Sequence, residues 1–145
     1  MKLHVVTANI IERDGKYLLI EEGHQHAYGQ WNFPAGKLEE QISLEINAIK
    51  EAREESGFDV KVKRLVGVYQ DMREDVNVIL FAFASDIIGG HIRDHGDDEI
   101  LQAKWFTLDE IKKLHLRGWY IVKAIEDHQN KEPIDSVKTL TFDKG

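Results

Sequence analysis

Residues 43–57, Ser-Leu-Glu-Ile-Asn-Ala-Ile-Lys-Glu-Ala-Arg-Glu-Glu-Ser-Gly, constrain the fold most, because both ends of a helix are written into them. Ser43 offers a side-chain oxygen as N-cap. Gly57 suits the left-handed residue that closes a helix. Ala48, Ile49, Ala52 and Ser56 recur at helical spacing and form a small, apolar packing side. Such a helix packs on a sheet, and the flanking segments read as strands.

Residues 3–11 and 17–20 are apolar and β-branched around Asp14-Gly15, which predicts a β-hairpin. Residues 23–30 read as a loop, and 31–33 as a short strand stopped by Pro34 and Gly36. After the helix, 58–69 and 76–84 read as strands, broken around 71–75. Residues 86–98 read as irregular, and 104–106 as a strand. Thr107 and Glu110 form a capping-box pattern. A second helical pattern covers 120–128, and 134–142 reads as a closing strand. The order β-β-α-β-β-α-β predicts an α/β (α+β) fold, a mixed sheet with helices on its faces. No repeat or low-complexity tract divides the chain, so residues 1–145 are expected to form one domain.

With 145 residues, 42% hydrophobic and 31% charged, the chain is long enough for a real core. It has no cysteine, which excludes disulfides, thiolate metal sites and a cysteine nucleophile. The longest apolar run, residues 78–84, is too short to cross a bilayer. The N-terminus lacks a signal-peptide layout, and a cytoplasmic location is expected. A net charge of −7 argues against a nucleic-acid polymer as partner. A small phosphorylated ligand remains compatible with it if a cation mediates.

Glu51, Glu54 and Glu55 crowd one helix face, sharing an arc of roughly 100°. Glu51 and Glu55 are like charges at i,i+4. Glu54 and Glu55 also sit near the C-terminus, where the helix dipole disfavours anions. Something positive should offset this, and Lys50, Arg53 or a divalent cation would serve. A solvated acidic face would carry the same residues, so the acids alone do not decide.

The surrounding residues do more. From Gly36 onward, the stretch Gly36, Glu51, Glu54, Glu55, Gly57 matches without gaps the fixed positions of the Nudix hydrolase signature, so the chain resembles that MutT-like family. Ile42 and Lys50 depart from it, standing where the family has Glu and Arg. Glu99, six residues before Trp105-Phe106-Thr107, also follows the family's layout. The segment 31–39, WNFPAGKLE, and the tail 116–134 look most like a bacterial branch that hydrolyses nucleoside and thiamine-precursor pyrophosphates.

The resemblance implies a Nudix fold, an αβα sandwich around a central mixed β-sheet, and a metal-dependent hydrolase of a pyrophosphate bond. It implies that Glu51, Glu54, Glu55, the Ala35 carbonyl and Glu99 bind Mg²⁺ or Mn²⁺, hard cations that prefer oxygen. Water would attack phosphorus, with Glu99 as ligand or general base. The partner would be a small nucleoside or other organic pyrophosphate, with the protein a monomer or homodimer.

Lys37 is the foremost phosphate contact, balanced against an ordinary surface lysine. Tyr28, Asn32 and Arg73 complete the candidate substrate contacts. Trp31, Phe33, Tyr69 and Phe81 read more readily as core than as ring-stacking residues. His24 with His26, and His91 with His95, are loop pairs near the signature and near Glu99. Ile42 and Lys50 leave a second reading, a Nudix-fold sensor that binds a nucleotide or metabolite without cleaving it. They predict a rebuilt brace in which Lys50 turns to Glu54 and Ile42 packs on the core.

Overall fold

The computed structural model describes residues 2–94 and 96–139. In chain order the elements are β1 (Lys2–Ile10), β2 (Glu12–Arg13), β3 (Lys16–Glu22), β4 (Trp31–Asn32), β5 (Ala35–Lys37), α1 (Leu44–Ser56), β6 (Phe58–Met72), β7 (Val76–Gly90), β8 (Ile100–Phe106), α2 (Leu108–Ile111), α3 (Tyr120–Asn130) and β9 (Lys138–Thr139). One sheet runs β5-β1-β7-β6-β9, and a second joins β2, β3, β4 and β8. The first is mixed, since β1 pairs with β7 in parallel and with β5 antiparallel.

The layering follows from strands buried on both faces. Along β3, Tyr17 and Leu19 enter one core while Leu18 and Ile20 enter another. The first core is closed by Ile121, Ala124 and Ile125 of α3, the second by Ala52 of α1 with Phe58 and Val60. Fully buried Ile121 and Ile125 each contribute about 1.5–3 kcal/mol by leaving water. Helices thus cover both faces of the strand layer, the αβα sandwich expected.

The helix ends form as their residues dictate. Ser43 Oγ accepts from Ile46 N–H at 3.1 Å, and Gly57 takes φ 88°. Thr107 and Glu110 complete their capping box at 3.2 and 2.8 Å.

Several boundaries differ from the sequence reading. The hairpin is only the short pair β2–β3, turned through Asp14 and Gly15 at φ 52° and 77°. β1 leaves it, because its buried second half needs hydrogen-bonded neighbours on both sides and finds them in β5 and β7. β7 runs six residues past Ala84, with Ile87 facing Val60 and Gly90 facing Phe58 after register shifts. The expected irregular stretch therefore begins only at His91. The closing strand is just Lys138–Thr139, parallel to β6, and residues 140–142 lie outside the described residues.

Candidate active site

A cleft of about 490 Å³ opens where α1, β5 and the ends of both sheets meet. Glu51, Glu54, Glu55 and Glu99 line it, with Ala35, Gly36, Lys37, Asn32 and Arg73. The structure thus gathers eight of the nine sequence-selected site residues in one cavity. Tyr28 is the exception. It ends a short 3₁₀ turn before Gly29, which directs Ala27 inward and leaves Tyr28 65% exposed and away from the cleft. Trp31, Phe33 and Tyr69 are core residues, and Phe81 is half-buried. His24 and His26 line the cleft with stacked rings 5.8 Å apart. His91 is exposed outside it, and His95 lies outside the described residues.

Backbone and helix meet closely at Gly36. A Cβ there would run into the Glu51 carboxyl, so glycine lets that carboxyl lie against the β5 backbone. One residue earlier, Ala35 N–H donates to Glu55 Oε1 at 2.8 Å. Ala35 faces Ala8 in β1, while the alternate positions on either side bond the strand, Asn9 N–H to Pro34 and Leu38 N–H to Val5. The Ala35 amide and carbonyl therefore point away from β1, on the side of the acids.

Glu51 and Glu55 resist ionisation. Burial pushes the Glu51 carboxyl up to about 7, helped by Glu54 and opposed by Lys50. Burial also holds Glu55 well above the carboxylate range, despite the Ala35 hydrogen bond. Among the described residues no three His, Asp or Glu side chains already converge on an ion position. Two of the acids are engaged elsewhere, Glu55 with Ala35 N–H and Glu54 with Lys50 at 3.0 Å. The surroundings nevertheless fit a hard cation. The donors are all oxygens, and the Glu51 carboxyl lies directly against the Gly36 backbone, beside the Ala35 peptide that bonds Glu55.

The brace of the signature loop is rebuilt with partners the sequence reading missed. Lys50 pairs with Glu54, as expected, and also with Glu39 in the loop. Buried Asn47 ties the same loop down. Its Oδ1 accepts from Glu39 N–H at 3.2 Å, and its Nδ2 donates to Thr7 Oγ1 at 2.8 Å. Ile42 is half-buried and belongs to neither core, so the expected staple is absent.

At the inner end, Glu22 and Arg117 form a charge contact that periodicity did not single out. Arg117 Nε lies 3.2 Å from Glu22 Oε2, yet that oxygen has no well-formed hydrogen bond. Burial raises the Glu22 carboxyl, opposed by Arg117. Arg73 is committed, donating to Asp71 at 2.9 Å and to the Arg117 carbonyl at 3.0 Å. Asn32 is held too, its Oδ1 accepting from Tyr120 OH at 2.8 Å. Lys37 pairs with Val6 across the strands and also lines the cleft.

A mixed-sheet αβα sandwich with acids on one helix facing a glycine-bearing edge strand defines a class of hydrolase fold. The NUDIX domain family matches residues 2–125, and the chain belongs to the Nudix hydrolase family. A solved NUDIX hydrolase from Nitrosomonas europaea superposes with a TM-score of 0.83 at 30% identity, covering 92% of this chain and 93% of that one. An ADP-ribose pyrophosphatase of Methanocaldococcus jannaschii is 34% identical over 121 residues, 82% of this chain and 70% of that protein. A nudix hydrolase of Caenorhabditis elegans is 28% identical over 144 residues, 93% of this chain, and the chain spans only 39% of its length.

Proposed function

We propose that the protein is a divalent-metal-dependent pyrophosphohydrolase. Its substrate would be a nucleoside di- or triphosphate or a related diphosphate linked to another group. The observation that carries this is the gathering of Glu51, Glu54, Glu55 and Glu99 around Gly36 and Ala35 in one cleft. The similar ADP-ribose pyrophosphatase supports an organic pyrophosphate as the substrate class.

Glu51, Glu54, Glu55, Glu99 and the Ala35 carbonyl would hold Mg²⁺ or Mn²⁺. Bound there, the ion would polarise the phosphates and offset charge developing on the leaving group. The chain's own residues supply the rest. Gly36 lets the Glu51 carboxyl lie against the strand that carries Ala35. Lys37 stands at the rim as a counter-charge to phosphate. Among the described residues no side chain pairs with the Glu99 carboxylate, which is exposed at the cleft and free to accept a proton from the attacking water. Lys50, drawn to both Glu39 and Glu54, holds the loop against α1 despite the departures at Ile42 and Lys50, which supports the hydrolase over a non-hydrolysing sensor.

The test is a panel of nucleoside triphosphates, nucleotide sugars, ADP-ribose and thiamine-type pyrophosphates with Mg²⁺ or Mn²⁺. Hydrolysis of at least one compound should require the metal and collapse in Glu55→Gln. Tight binding without turnover of any compound overturns the proposal.

A further inference from the structure

The crowding of acids at the end of α1 calls for a compensating charge, and Lys50 meets only the outer part of that need. A second cation arrives from the chain after β7. Arg93 Nη1 donates to the carbonyls of Glu54 and Glu55 at 3.3 and 3.5 Å, the last-turn carbonyls of the helix. Its backbone N–H bonds the Ser56 carbonyl at 2.9 Å. A guanidinium here satisfies orphan carbonyls and sits at the negative end of the helix dipole.

The same side chain reaches forward. Arg93 Nη2 donates to Asp97 Oδ2 at 2.9 Å, and Asp97 Oδ1 accepts from the N–H groups of Glu99 and Ile100, each at 2.8 Å. The Glu99 carbonyl in turn accepts from Gly23 N–H at 2.8 Å. The backbone on both sides of Glu99 is thus fixed. One of those fixings leads through Asp97 and Arg93 to the helix that carries Glu54 and Glu55. Gly57 makes room for the junction, since a Cβ there would strike the His91 carbonyl. The Arg93 side chain is only 16% exposed, unlike a solvated surface arginine.

We infer that Arg93, clamped to Asp97, is a positioning residue that sets Glu99 in register with the α1 acids. This rests on the reading of those acids as the reacting groups. Arg93 touches no substrate in this scheme. It fixes where the Glu99 backbone stands relative to the helix, and a misplaced carboxylate loses rate rather than affinity.

The test uses the full chain with Arg93→Met, Glu99→Gln, the double variant, and Asp97→Asn, which opens the clamp from its exposed side. Amide exchange is read without metal, and kcat and KM on whichever panel compound the wild type hydrolyses. Arg93→Met and Asp97→Asn should speed exchange at the Glu99 and Ile100 amides about tenfold. They should lower kcat about tenfold with KM almost unchanged. In the Glu99→Gln background, Arg93→Met should add almost nothing, because its effect passes through Glu99. Multiplicative losses in the double variant overturn the inference, as does unchanged exchange at Glu99. If the wild type hydrolyses no compound, the proposed function falls, and exchange alone decides the clamp. If Arg93→Met fails to fold, Asp97→Asn carries the same readouts.

Discussion

Lys50 joins Glu39 across the loop that precedes its helix, and so supplies from position 39 an acid that position 42 lacks. Both side chains are largely exposed, so the pair positions the loop and adds little to global stability. Glu39→Gln should lower metal affinity and kcat/KM about tenfold while the melting temperature hardly moves. Adding Ile42→Glu with Lys50→Arg should recover most of that loss, by offering the loop a different acid–base pair. Metal titration by calorimetry and steady-state kinetics on the triple variant check it.

Gly36 admits no side chain against Glu51. In Gly36→Ala, the Glu51 carboxylate or the β5 backbone must move. Displacement by an ångström or so at a reacting site can cost about 100-fold in rate. Metal-dependent turnover should fall by about that much. Folding should persist, as shown by an unchanged circular dichroism spectrum.

The Glu51 carboxyl, pushed up to about 7 chiefly by burial, binds its proton more tightly in the folded protein than in the unfolded chain, where the value is 4.5. Its contribution is fully present below the unfolded value and is lost as pH rises through about 7. Glu55 acts in the same direction. Metal-free protein should therefore melt lower at about pH 8 than at about pH 5. Mg²⁺ should raise the melting temperature more at the higher pH, where it no longer competes with protons. Glu51→Gln should flatten the metal-free slope, and scanning calorimetry of both proteins isolates this group from the histidines.

Asp127 is 2% exposed and accepts from Tyr69 OH at 2.7 Å and Lys123 Nζ at 2.9 Å. Tyr69→Phe leaves one carboxylate oxygen without its donor in the core between α3 and β6. Urea unfolding should show a loss of about 1–3 kcal/mol. Activity should be unaffected, because Tyr69 does not line the cleft.

What was legible in the sequence divides along the range of the interaction. Ser43, Gly57 and the Thr107–Glu110 pair act within one turn of chain, so their caps could be read directly. The acids of α1 were readable because helical spacing places them on one side. Strand partners are not written locally. β1 looked like half of a hairpin, yet its partners come from residues 35–37 and 76–84. Gly89 and Gly90 looked like loop residues, yet they pair with Asp59 and Phe58 because a glycine at 90 allows the close approach to Gly57. Glu22, Arg117 and Asn47 could not be selected, because each acquires its role from a partner distant in sequence, and Arg93 meets the helix carbonyls of Glu54 and Glu55 only once the chain is folded. Tyr28 lies in a polar loop before the signature, yet its side chain is exposed to solvent and does not line the cleft.

The three-residue pairing of β5 with β1 has a consequence for how this protein can vary. The amide and carbonyl of Ala35 are offered to the cleft by the register Val6–Lys37, Thr7–Gly36, Ala8–Ala35. They belong to the main chain, so exchanging Ala35 for another small residue would leave both in place. Slipping the pairing by one residue would instead turn them into the sheet, with every side chain unchanged. Part of this centre is therefore inherited as an alignment of strands rather than as an amino acid. Insertions or deletions between β1 and β5 threaten it more than point substitutions within them.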